Sequence, residues 1–137
     1  MAVADGGYRV RRGAVTVDGV ERVRAVCLGL PEVEERPSHG EPGWFVRGKK
    51  LFAMGADHHH DDRVAIWAAA PAGVQEHLVA TGPERYFRPP YVGHRGWVGV
   101  YLDVPAVDWP QVEDLLVDAY CLVAPRALRD AVRPPEG

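Results

Sequence analysis

The chain has 137 residues, 47% of them hydrophobic and 26% charged, with a formal net charge of −3. That length supports one hydrophobic core but not two ordinary domains. No apolar run approaches the ~18 residues that span a bilayer, and the N-terminus has no apolar leader segment, so a cytoplasmic protein with no membrane partner is expected. Net negative charge excludes bulk attraction to nucleic acid, so any such binding must come from a local gathering of cations.

Residues 1–16 read as a flexible tail. Gly6, Gly7 and Gly13 loosen it, and Arg9, Arg11 and Arg12 make it basic; termini of this kind are seldom tied down. A phosphate-contacting arm and an extra edge strand are the alternatives. Asp18 suits a helix N-cap, with Glu21 placed to reciprocate as in a capping box. Val20, Val23, Cys27 and Leu30 share one helical face, and Pro31 ends that helix. Residues 33–39 read as extended and acidic, and GEPG at 40–43 as a turn. Residues 44–47 and 50–54 read as two strands whose hairpin tip is formed by Arg47, Gly48, Lys49 and Lys50. GADHHHDD at 55–62 is a loop. Residues 63–69 make a further strand, with Val64 and Ile66 on one face and Trp67 on the other.

Pro71 suits the first turn of a second helix. Val74 and Leu78 supply its apolar stripe, and Gly82 with Pro83 stops it. Pro89 and Pro90 then preclude regular structure, and Gly93 and Gly96 permit a tight turn. Residues 97–104 alternate: Val98, Val100, Leu102 and Val104 point one way, and Trp97, Gly99, Tyr101 and Asp103 the other. That is the period of a half-buried strand. Asp108 caps a third helix with Pro110 in its first turn, and Trp109, Val112, Leu115, Leu116, Ala119 and Leu122 form its apolar face. Pro125 breaks it; residues 126–132 allow one more short turn, and 133–137 a flexible end. Strands follow one another rather than alternating with helices. The expected class over residues 17–132 is therefore α+β: a single antiparallel β-sheet with helices packed on one face. Such a sheet buries Val98, Val100 and Leu102 and leaves the Trp97 and Tyr101 face partly open.

Three blocks, LPEVEERPSHGEPGWFVRGKKLFAM at 30–54, PERYFRPPYVGHRGWVGVYLD at 83–103 and VDWPQVEDLLVDAYCLVAPRAL at 107–128, resemble the MmcQ/YjbR-like family of small bacterial proteins. The resemblance extends over residues 17–131 and implies a CyaY-like fold and a DNA-binding role.

The residues themselves offer a matching lead. Arg47, Lys49 and Lys50 are the only charges between Trp44 and Ala56, and Arg85, Arg88 and Arg95 the only ones from Arg85 through Leu102, whereas Asp108, Glu113, Asp114 and Asp118 crowd one helix. A one-sided basic surface on an acidic protein is consistent with this pattern. The candidate DNA-binding residues are Arg47, Lys49 and Lys50 on the hairpin tip and Arg88, His94 and Arg95 on the proline–glycine loop. Tyr91 and Trp97 are candidates for stacking on bases. The competing reading has Trp97, Tyr91 and Phe87 packing the loop onto the sheet, with the arginines as a solvated rim.

Other chemistry is poorly supported. His58, His59 and His60 with Asp57, Asp61 and Asp62 are good ligand types, but adjacent residues cannot all converge on one ion from a strand or turn; they read as a solvated loop. Ser38 is the only serine, and its neighbour His39 is not a general base by adjacency alone. Cys27 and Cys121 fall on apolar helix faces and read as free packing thiols. No catalytic residue, metal or cofactor is assigned, and a binding protein rather than an enzyme is expected, as a monomer or weak homodimer with DNA as partner. The alternative is a protein-interaction or small-ligand adaptor using the Trp97 and Tyr101 face.

Overall fold

His39 and Gly40, at φ 52° and 82°, fold β1 (Val33–Ser38) back onto β2 (Glu41–Val46), with Ser38 opposite Glu41. Left-handed φ at both central residues gives a hairpin turn the twist of its strands. The turn expected over GEPG thus falls earlier, and Pro42 lies inside β2. It faces Pro37 across the ladder, one pair beyond Ser38 and Glu41; the pair flanking a two-residue turn is hydrogen-bonded and the next is not, so neither missing N–H costs the β1–β2 ladder a bond. Arg47 and Gly48, at φ 56° and 65°, repeat the device, with the Lys49 N–H donating to the Val46 carbonyl at 3.0 Å, and turn β2 into β3 (Lys50–Asp57).

The structure, a computed structural model, describes residues 15–58 and 61–135, with only the backbone of 15–18. β4 (Val64–Ala68) pairs with β3, β6 (Val98–Tyr101) with β4, and β5 (Tyr86–Phe87) with the outer side of β6. The order is β1-β2-β3-β4-β6-β5, antiparallel throughout. β5 falls where the sequence suggested only loop; two paired residues leave no readable alternation.

A bulge adjusts the β2–β3 ladder. Trp44 faces Ala53 but Phe45 faces Leu51, leaving Phe52 as the extra residue. Bulged neighbours can turn to one side, and Phe52 meets Tyr120 edge-on at 5.7 Å. Two helices, α1 (Val15–Leu28) and α3 (Trp109–Val123), cover that face. Val23, Cys27, Trp44, Ile66, Val98, Val100, Leu102, Leu116 and Tyr120 are buried in the core. Each fully buried side chain of this size contributes about 1.5–3 kcal/mol. The Tyr120 hydroxyl donates to the Pro31 carbonyl at 2.8 Å, tying α3 to the end of α1. The expected α+β class, one antiparallel sheet with helices on one face, is what the chain forms.

Helix starts differ from expectation in two places. α1 begins at Val15, so Asp18 lies inside it. Pro71 precedes α2 (Val74–Thr81) rather than opening it, because the Val74 N–H donates to the Pro71 carbonyl and left-handed Gly73 caps the helix. In α3 the expectation holds: Asp108 accepts the Gln111 N–H at 3.2 Å, with Pro110 in the first turn. α4 (Arg126–Val132) follows. Of the tail expected at 1–16, residues 1–14 lie outside the described residues, as do Glu136 and Gly137 at the other end.

Candidate nucleic-acid interface

The register brings the two basic segments to one end of the sheet. Ala53 near the start of β3 faces Ala68 at the end of β4, and Ala68 faces Val98 at the start of β6. The 47–50 turn, which joins β2 to β3, and the 88–97 loop, which joins β5 to β6, therefore emerge on the same side; β3 and β6 themselves lie two strand spacings apart, roughly 10 Å. The opposite end is acidic. Glu41 accepts the Asp57 N–H at 3.1 Å, Asp61 and Asp62 are exposed, and Asp103 receives Arg63 through both oxygens. This segregation does not appear in the net charge.

On the turn, Lys49 and Lys50 are exposed and, among the described residues, form no ion pair. Arg47 is differently placed. Its Nε donates to Glu32 Oε1 at 2.8 Å, and its backbone N–H donates to the Glu32 carbonyl at 2.8 Å. That side-chain hydrogen bond raises the Arg47 pKa and lowers the Glu32 pKa. The Glu34 carboxylate lies against Gly48, where a Cβ would sit 3.1 Å from its Oε2, and Arg36 donates to the Gly48 carbonyl at 2.6 Å. Edge strand β1 thus supplies counter-charge to the turn, and Arg47 is a tethered cation rather than a presented one. The acidic run was legible in the sequence; its partner fifteen residues away was not.

The 88–97 loop is ordered from within. Pro89 is fully buried, the Val92 N–H donates to the Pro90 carbonyl at 2.7 Å, and Gly93–Arg95 forms a 3₁₀ turn closed by left-handed Gly96. Gln75 of α2, only 4% exposed, donates from Nε2 to the carbonyls of Gly93 at 2.8 Å and Trp97 at 2.5 Å. Nothing in the sequence singled out this glutamine. The Arg88 stem folds across Gly93, where a Cβ would come within 2.6 Å of its Cγ. Arg88, His94 and Arg95 are exposed. Tyr91 is 75% exposed at φ 67°.

Trp97 requires a correction. It is 4% exposed, with the Arg95 guanidinium 5.6 Å above its ring, so its faces are unavailable for base stacking. The sheet face expected to be partly open is occupied there. Phe87 lies on Gly99, whose added Cβ would fall 2.3 Å from the ring, and stacks on Tyr101 at 4.5 Å; the Arg63 guanidinium sits 3.8 Å from the Tyr101 centroid.

At the acidic end, a cleft of about 530 Å³ is lined by Val20, Glu21, Arg24, Glu41, Asp57 and His58, among others. Its cation is engaged: Arg24 reaches Glu21 at 2.5 Å and Glu35 at 2.7 Å. His58 Nδ1 lies 2.5 Å from Asp57 Oδ1, a contact that raises the His58 pKa. Among the described residues no three His, Cys, Asp or Glu side chains converge as a metal-ligand set, and His59 and His60 lie outside them. Burial raises the Cys27 thiol well above its usual range, which leaves it unreactive.

A six-stranded antiparallel sheet with helices across one face defines a class of small α+β proteins. This chain belongs to the YjbR family, whose sequence model matches residues 28–122, the family that the three sequence blocks resemble. Its structure is similar to the crystal structure of protein DR2400 of Deinococcus radiodurans, which has a DUF419 domain, with a TM-score of 0.63 and 22% identity over 92% of this chain and 94% of that one. At that identity the likeness is one of fold. No curated protein matches the chain. Among the described residues, no helix is long and apolar enough to cross a membrane.

Proposed function

We propose that the protein binds DNA weakly and without base preference, by setting Lys49, Lys50, Arg88 and Arg95 against phosphates at one end of the sheet. The observation that carries this reading is the register that brings the 47–50 turn and the 88–97 loop together while the acids of the β3–β4 connection lie at the far end. Phosphate contacts position a protein on nucleic acid and carry no sequence information. The loop is held by Gln75 and Pro89 before any ligand arrives, which lowers the ordering cost of binding. Arg47 contributes less while Glu32 holds it. The protein acts by binding, with no covalent chemistry. The adaptor alternative loses support because Trp97 is buried and Tyr101 is engaged by Phe87 and Arg63.

Fluorescence anisotropy with a labelled random duplex at two salt concentrations tests the reading. Four phosphate contacts set a ceiling of about 3.6 on the slope of log K against log salt, with dissociation constants on the order of 1–100 μM. Absence of salt-dependent binding at ~100 μM would overturn it.

A further inference from the structure

Tyr91 stands out on the basic end. It is 75% exposed, and it holds φ 67°, a left-handed conformation that is an outlier for a bulky side chain. Such strain persists only where the surroundings enforce it, and it gathers at ligand-binding positions. Here the surroundings do enforce it. Pro89 is buried just before Tyr91, the Val92 N–H donates to the Pro90 carbonyl across it, and Gln75 clamps Gly93 and Trp97 just after it. The same rigid loop that buries Trp97 leaves Tyr91 exposed, in the chain segment that also carries the exposed Arg88, His94 and Arg95.

We propose that Tyr91 is a stacking platform for an unpaired base, so that this end of the sheet prefers single-stranded nucleic acid to duplex. The inference rests on the phosphate-binding reading above and adds to it the class of strand. Single-strand binders combine cations that track the backbone with aromatic faces on which bases stack, and every base offers a π-face. A base within a duplex already stacks on its neighbours, so only an unpaired one can use the ring. Stacking and phosphate contact also differ in salt dependence: losing a cation changes the salt slope, whereas losing a ring lowers affinity at every salt concentration alike.

The test is anisotropy with labelled oligo(dT), oligo(rU) and a random duplex of equal length, at two salt concentrations, for wild type, Tyr91→Phe, Tyr91→Leu and Tyr91→Gly. Wild type and Tyr91→Phe should bind the single strands more tightly than the duplex. Tyr91→Leu should lose on the order of 5- to 150-fold on the single strands, the range for one stacked base, with its salt slope and duplex affinity unchanged. Tyr91→Gly should lose the same preference, and glycine adopts this φ without strain. Equal binding of oligo(dT) and oligo(rU) assigns the ligand to unpaired strands of either sugar; a preference between them names the strand. Duplex binding as tight as single-strand binding in wild type, or an unchanged Tyr91→Leu, overturns the inference and leaves the phosphate reading standing. No salt-dependent binding to any of the three overturns both.

Discussion

Glu32 holds Arg47 at two points, side chain to side chain at 2.8 Å and carbonyl to backbone N–H at 2.8 Å, with both residues at positive φ. An acid from the edge of the sheet thus occupies the cation at the centre of the basic turn, as a phosphate would. Glu32→Gln removes the charge and keeps the shape. It should tighten duplex binding and steepen the salt slope by up to about 0.9, the value of one added phosphate contact. An unchanged slope in the anisotropy titration would mean that Arg47 stays on the turn without its partner.

Lys49 and Lys50 project from the same turn with no ion pair among the described residues. Replacing both with alanine should flatten the slope by about two at most, and Arg95→Ala by up to one more. The loss should be equal on every duplex sequence, because phosphates carry no base information. If affinity and slope survive all three changes, this surface serves another partner.

Leu102 is fully buried and meets α1 at Gly19, whose added Cβ would fall 3.3 Å from the Leu102 Cβ. Leu102→Ala should cost about 2–5 kcal/mol in urea denaturation. Tyr101→Ala, on the opposite face and half-buried, should cost distinctly less; equal losses would show both faces equally committed to the core.

Gly99 is required by the Phe87 ring, which an added Cβ would approach to 2.3 Å. Gly99→Ala should therefore cost about 1–3 kcal/mol, the usual range for overpacking. In a Phe87→Ala background the same change should be nearly neutral, so the double-mutant cycle should show strong coupling. Additive losses would place the strain in the β6 backbone instead.

Asp103 accepts from Arg63 at 2.8–3.1 Å and from the Val64 N–H at 2.9 Å. The Arg63 hydrogen bonds, opposed in part by burial and aided by Val64, lower the Asp103 pKa. A carboxylate with a depressed folded pKa adds stability that is complete above its unfolded value of ~3.9 and is lost as pH falls through the folded one. Asp103→Asn should cost about 1–2 kcal/mol at neutral pH, allowing for the solvent that reaches Arg63. It should also lack the part of the wild-type stability loss below about pH 4 that Asp103 contributes. Urea midpoints measured from pH 7 to pH 3 check this, and parallel curves would assign the acid sensitivity to other groups.

What the sequence determined by itself is local. Alternation over 97–104 assigns Val98, Val100 and Leu102 to the buried face, and the spacing from Val112 to Ala119 assigns the stripe of α3. Asp108 with Pro110 marks where that helix starts. These signals lie in residues a few positions apart, within reach of one strand pleat or one helical turn. The cations at 47–50 and 88–95 were equally visible, and so were the blocks shared with the YjbR family. Only the tertiary structure decided how distant segments use those residues. Pairing of β4 with β6 brings the two basic segments to one end. The Phe52 bulge shifts the β2–β3 register, Glu32 captures Arg47 across fifteen positions, and Gln75 fastens the loop that buries Trp97 and exposes Tyr91. Each depends on which groups meet once the sheet closes. Side-chain partners of that kind leave no period in the sequence, because the sequence carries the periodicity of an element and not the identity of its neighbour.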